Sequence, residues 1–203
     1  ADSSKVFYQG RDIDAALGIA VLGDKVIVTA APNIIVFTDK NGDDIPDSKQ
    51  YLFTNTGLPQ DDHSTHSVSF GPDGNLYWNM GNNGLSVHDK NGQLVIDSMG
   101  NAIIDRVGWR RITNQTELRS PLSVDERSQH ITDYEDFEKP YIGGMVFRSS
   151  LDGKQTQTVA HNFRNNYEVA VDSLGSMWQS DNDDDGNAAC RINYILELSL
   201  IHI

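Results

Sequence analysis

Gly18-Ile-Ala-Val-Leu-Gly-Asp-Lys-Val-Ile-Val-Thr-Ala-Ala-Pro-Asn-Ile-Ile-Val-Phe-Thr38 runs into Asp39-Lys-Asn-Gly-Asp-Asp-Ile-Pro-Asp47 and then Ser48-Lys-Gln-Tyr-Leu-Phe53. The apolar runs are too short for helices, rich in β-branched residues, and bounded by turn formers. They predict four strands, Gly18 to Val21, Lys25 to Thr29, Asn33 to Thr38 and Lys49 to Phe53. The joints are Leu22-Gly23-Asp24, Ala30-Ala31-Pro32 and the acidic loop after Asp39. Four short antiparallel strands in succession make one blade of a β-propeller.

The same grammar returns further along. Val68-Ser-Phe-Gly-Pro-Asp-Gly-Asn-Leu-Tyr-Trp78 aligns with Val169-Ala-Val-Asp-Ser-Leu-Gly-Ser-Met-Trp178, each an apolar strand, a turn at Gly74 or Gly175, and an aromatic strand. A second unit pairs a strand with an Asp-rich hairpin: Ile34 to Phe37 before Asp39, Leu85 to Val87 before Asp89, and Met145 to Phe147 before Asp152. Repeats of this kind bury their faces only against their neighbours. Trp78 and Trp178 are accordingly assigned to blade packing. The expected fold class is all-β, a partial β-propeller over residues 1–197 with an insertion at about 101–143. That insertion carries Arg106, Arg110, Arg111 and Arg119, followed by an acidic stretch from Asp133 to Pro140. Long inter-blade loops either line the mouth of the central channel or run as solvated excursions. Residues 198–203, Leu-Ser-Leu-Ile-His-Ile, have no turn signal and match the translation of a sequencing-library adapter, so they are read as not native.

Composition narrows the function classes. Of 203 residues, 38% are hydrophobic and 22% charged, which excludes a disordered chain. The net charge of −13 argues against nucleic acid, whose binding needs a basic track to displace counterions. Cys190 is the only cysteine, so these residues hold no disulfide, no Cys-rich zinc site and no c-type haem motif. No apolar run reaches the roughly 18 residues of a membrane span, and nothing before Ala1 reads as a signal peptide. Oxygen ligands alternating at Asp39, Asn41, Asp43 and Asp47 around Gly42 give a candidate calcium loop of the short Asp-rich kind, although no Glu closes it as in a full EF-hand. An acidic hairpin turn without an ion is the other reading of the same loop.

Two segments carry a family resemblance. The first is Asp62-His63-Ser-Thr-His-Ser-Val-Ser-Phe-Gly71-Pro72-Asp73-Gly74; the second is Phe163-Arg164-Asn165, with Trp178-Gln-Ser-Asp-Asn-Asp-Asp184 and Arg191-Ile-Asn-Tyr194 beyond it. Together they resemble the quinoprotein sugar dehydrogenases of the glucose and sorbosone type, over roughly residues 16 to 195. The wording Phe-Arg-Asn-Asn-Tyr-Glu and Gln-Ser-Asp-Asn-Asp-Asp-Asp-Gly-Asn more particularly resembles the propeller of the large "putative membrane-bound dehydrogenase" proteins of planctomycete-type bacteria. The resemblance implies a six-bladed ring, of which the repeats here supply about three four-stranded blades. It implies a fragment of an enzyme that oxidises a sugar or other polyol with pyrroloquinoline quinone (PQQ) and calcium, in a periplasmic, secreted or cell-envelope setting. A c-type cytochrome module is the implied partner in the longer protein. By position, His63 would be the base, Arg164 the cation facing the quinone oxygen, and Asn165 a cofactor contact. Asp183 and Asp184 would serve the cofactor and its metal, largely through backbone carbonyls. The rival reading is a non-catalytic propeller that binds a carbohydrate or a partner domain, since fold alone does not decide function.

Overall fold

The computed structural model describes residues 4–83, 86–103, 141, 143–182 and 190–196. A 3-10 turn at Arg11–Ile13 precedes β1 (Gly18–Leu22), β2 (Lys25–Ala30), β3 (Asn33–Thr38) and β4 (Ser48–Thr54). The chain continues through β5 (Thr65–Phe70), β6 (Leu76–Met80), β7 (His88–Asp89), β8 (Gly144–Ser149) and β9 (Thr156–Phe163). It ends in β10 (Asn165–Val171), β11 (Met177–Asn182) and β12 (Cys190–Ile195). Three antiparallel sheets result, ordered β1-β2-β3-β4-β7, β5-β6-β8-β9 and β10-β11-β12. The four strands expected at the start of the chain are β1 to β4.

Each sheet is a meander whose first strand lies innermost. β5 packs on β1 and β2, and β10 packs on β5 and β6, so one sheet follows another face to face. This is the arrangement of propeller blades, and the described residues form a partial, unclosed propeller. Polar stitches tie the inner strands: Ser69 Oγ donates to Val169 O at 3.0 Å, and Val169 N donates to Ser67 Oγ at 2.9 Å.

The hairpin turns repeat one device. Asp89, Asp97 and Asp172 each accept two amide hydrogens on Oδ1, from the residues two and four further on, at 2.8 to 3.0 Å. The fourth residue of each turn is a glycine at positive φ, Gly92 at 76°, Gly100 at 85° and Gly175 at 88°. A side chain there would be strained, whereas glycine enters that region freely.

The first seam, between the first and second sheets, contains Ile27, Ile34, Phe53, Val68, Leu76, Met80 and Phe147 around Trp78. Trp78 is fully buried and lies between Phe53 at 5.1 Å and Phe147 at 4.1 Å, with Nε1 donating to Ser149 Oγ. A ring buried in this way contributes about 1.5–3 kcal/mol through burial alone. The second seam is smaller and brings Tyr77, Val146 and Val159 against Val169, Met177 and Ile195. The far face of the first sheet is partly covered by an N-terminal strap, in which Phe7 and Tyr8 pack on Phe37 and Lys49 pairs with Asp12 at 2.8 Å.

Two details depart from the sequence reading. Phe70 pairs with Leu76 and Val171 with Met177 across turns of equal length, so Trp178 matches Tyr77 and Trp78 matches Gln179. Because side chains alternate along a strand, Trp178 faces away from the second seam and is 44% exposed. The unit around Asp89 does fold as a hairpin, with His88 paired to Leu94 and Val95 N donating to Val87 O, but it is attached to an existing sheet instead of opening a further blade. β7 pairs with β4 at the rim of the first sheet, and the blade pattern already breaks between β6 and β8. Most of the expected insertion, with its four arginines, and the segment 198–203 lie outside the described residues.

Candidate functional site

His63 stands just before β5 and Arg164 just before β10, so the two innermost strands begin beside the two residues. Asn82, two residues past the end of β6, joins them. Its Oδ1 accepts from His63 Nδ1 at 2.6 Å, and its backbone N–H donates to Arg164 O at 2.7 Å. Asn83 N donates to His63 O at 3.0 Å, while its side chain reaches both oxygens of Asp61 at 2.6 and 2.7 Å. Gly81 makes this approach possible, because a Cβ there would lie 2.6 Å from the His63 carbonyl oxygen. With Nδ1–H donating to Asn82, Nε2 becomes the basic nitrogen of His63.

The Arg164 side is built around a buried carboxylate. Asp181 accepts from Asn165 N at 2.9 Å and Arg164 N at 3.4 Å, and Arg164 Nη1 donates to Asn182 Oδ1 at 3.2 Å. Burial pushes the Asp181 carboxyl above its ordinary pKa, against the two amides and the charges of Arg191 and Arg164. Asn165 is itself buried, and among the described residues its Oδ1 has no hydrogen-bond partner. An orphaned buried acceptor beside an arginine fits a polar group from a ligand.

Behind this front, β-bulges bend both inner strands, at His66-Ser67 in β5 and at Glu168 in β10, where φ is 42°. The bulges bring the His66 ring flat against Tyr167, with centroids 3.9 Å apart. His66 Nδ1 meets Asn166 O at 2.7 Å and Nε2 meets Asp62 O at 2.6 Å, so each ring nitrogen faces a carbonyl. Burial lowers the His66 pKa, while the two carbonyls pull the other way. Asn166, fully buried, donates to Met145 O and Gln179 Oε1 and thereby ties the second sheet to the third.

Of the residues expected at the site, His63, Arg164 and Asn165 are brought to one end of the inner strands. Asp183 and Asp184 lie outside the described residues, directly after Asn182. Asn82, Asn166 and Asp181 carried no site role in the sequence reading, since their partners stand on other strands. The run Met80-Gly-Asn-Asn83, polar immediately after an apolar strand, was the one visible hint of Asn82.

The acidic loop is elsewhere. It leaves β3 at Thr38, which pairs with Lys25 at the far end of β1, whereas the start of β1 lies by His66 through the Thr29 Oγ1 to His66 O bond. Asp39 accepts from Gly42 N and Asp44 N, Asn41 from Asp43 N, Asp43 from Ile45 N, and Asp47 from Lys40 N. Among the described residues no three His, Cys, Asp or Glu side chains are placed to hold a metal ion as they stand. A cleft of about 590 Å³ also opens at that opposite end, lined by Asp73, Asn75, Asp97, Arg148, Lys154 and Gln157 among others.

These features define an all-β protein of partial-propeller architecture with a His, Asn and Arg junction at one end of its inner strands. The chain belongs to the family described as a domain of unknown function, DUF7133, whose family model matches residues 1–134. Among curated proteins none matches the chain. Among the described residues no helix is long and apolar enough to cross a membrane.

Proposed function

We propose that this chain is part of a quinoprotein-type dehydrogenase propeller that oxidises a sugar or other polyol with a cofactor of the PQQ class. The observation that supports the reading is the junction at Asn82, which links His63 and Arg164 although they stand about a hundred residues apart. When bound, the quinone supplies the acceptor for the hydride that leaves the alcohol carbon. His63 offers Nε2 as the base that takes the hydroxyl proton. The Arg164 guanidinium supplies positive charge where negative charge develops. Asn165 Oδ1 is a ready acceptor for a donor on the cofactor edge. A c-type cytochrome module in a bacterial envelope protein would be the natural electron acceptor.

The test is calorimetric titration of the protein with PQQ in the presence of calcium, followed by dye-linked polyol oxidation. His63→Ala should lower turnover by about 10²- to 10⁴-fold with PQQ affinity nearly kept, and Arg164→Ala should weaken the binding itself. Wild-type protein that takes up no PQQ would refute the reading. The cleft at the opposite end supports the second reading, a propeller that binds a carbohydrate or partner without chemistry. On that reading, carbohydrate binding survives His63→Ala and is lost with Arg148→Ala.

Calcium is proposed at the acidic loop as a structural ion. It would draw Asp39, Asn41, Asp43 and Asp47 away from the amide hydrogens they accept, and would offset the repulsion among the carboxylates. Millimolar calcium should then raise the melting temperature and chelation should reverse the rise. An unchanged melt leaves the ion-free turn.

A further inference from the structure

We propose that His66 is a proton-dependent clasp: with two protons its ring ties the segment bearing His63 to the strand that follows Arg164, and with one it lets that segment go. The ring is 1% exposed, and its two nitrogens face backbone carbonyls from separate parts of the chain. Nδ1 lies 2.7 Å from Asn166 O on β10, and Nε2 lies 2.6 Å from Asp62 O, next to His63. A neutral imidazole carries one N–H, so at these distances its other nitrogen would set a lone pair against a carbonyl oxygen. Only the imidazolium donates to both. The ring also lies flat on Tyr167, and an aromatic face attracts a cation.

The two carbonyls are held unequally. Asn166 sits on β10, its side chain donates to Met145 O at 3.1 Å and Gln179 Oε1 at 3.2 Å, and its carbonyl also accepts from Asn79 Nδ2 at 3.0 Å. Asp62 belongs to no strand and is exposed, so its carbonyl can turn to water. Loss of the second proton therefore leaves Nδ1–H on Asn166 O and frees Asp62 O, and the approach to His63 loosens with it. Among the described residues the titratable groups around the ring are Asp62 and His63 ahead of β5 and Tyr167 on β10. β1 and β2 meet the His66 carbonyl with Gly18 and Thr29, and β6 brings Asn79 to Asn166 O; none of these titrates. Burial, the largest influence, and a charge on His63 oppose the second proton, while the two carbonyls and the Asp62 carboxylate favour it. The balance lies below the ordinary histidine value, so the clasp closes as pH falls through a lowered midpoint and opens above it.

The clasp is read on resonances, so it is tested apart from any reaction at the junction. Ring-nitrogen NMR of the 203-residue chain, across the pH range in which it stays folded, should show His66 passing from one protonated nitrogen to two as pH falls. The midpoint should lie below 6.5. In His63→Gln, which removes the neighbour's own titration, the Asp62 and Ser64 amide resonances should still shift in step with the His66 ring. Adding His66→Gln, whose side-chain amide changes with no proton, should abolish the shift at that midpoint. Should the double variant fold poorly, Asp62→Asn keeps the carbonyl, removes the carboxylate that favours the second proton, and should lower the midpoint. A ring in one protonation state throughout, amides that stay still as the ring titrates, a shift that survives His66→Gln, or an Asp62→Asn midpoint at or above that of wild type would each overturn the proposal.

Discussion

Trp78 lies four residues after Gly74 and is fully buried in the first seam; Trp178 lies three residues after Gly175 and is nearly half exposed on the third sheet. Both sit in the second strand of a blade, across turns that close in the same register. The single residue of offset decides which face receives the indole, because successive side chains of a strand point to opposite sides. Trp78 fills a space between Phe53 and Phe147 that the first and second sheets build together. Trp178 has Tyr194 beside it. Residue type alone therefore says little about a residue's energetic weight in a repeat protein; position relative to the turn says more.

The contrast is sharpest under truncation. Trp78→Ala should cost about 3–5 kcal/mol through lost burial and an unfilled cavity, whereas Trp178→Ala should stay within about 0.5 kcal/mol in the monomer. Urea unfolding of both variants measures the difference, and equal losses would dissolve the distinction between seam and open face. A smaller effect probes filled against open space at the site. Gly81→Ala forces a methyl against the His63 carbonyl and should cost about 1–3 kcal/mol as overpacking does. Loss of the His63 to Asn82 contact should appear as a shift of the His63 ring resonances. Unchanged resonances would show that the Asn82 junction tolerates the extra carbon.

The smallest expected effect extends the comparison to charge. Burial raises the Asp181 pKa, so the folded protein holds this proton to higher pH than the unfolded chain does. The group's contribution is then complete below the unfolded value and is lost as pH rises through the folded one. Asp181→Asn keeps a carbonyl acceptor for the amides of Arg164 and Asn165 and removes the buried charge. It should raise the melting temperature at pH 7 by about 2 °C, the order that a fraction of a kcal/mol produces in a chain of this size. The gain should vanish near pH 3. A lower melting temperature at pH 7 would mean that the amides and arginines outweigh burial.

The strands were legible because their signals are local. β1 to β4 are bounded by the turn residues that predict them, and the Asp-x-x-Gly turns announce themselves wherever they occur. The alignment of Trp78 with Trp178 failed because the repeats were matched on tryptophan; the turn glycine, whose positive φ fixes the hairpin, is the better anchor and sets Trp178 against Tyr77. At the site, His63, Arg164 and Asn165 came from resemblance. Asn82, Asn166 and Asp181 act on partners from other strands, and no spacing rule connects Asn82 with Arg164. β7 is two residues long and pairs with a strand more than thirty positions earlier, which local periodicity does not register.

The long excursion between β6 and β8 carries a kinetic consequence. Most neighbouring strands in the three sheets are joined by short turns, and hairpins of that kind form in about 1–10 µs. β6 and β8 pair only after the ends of the stretch from Gly81 to Gly143 have met. Relative to a five-residue turn, closing that stretch costs about 2 kcal/mol more in chain entropy. The first sheet should therefore assemble from local hairpins early. The second, which holds Trp78 and packs against both of the others, should complete late, after the local hairpins of the first and third sheets.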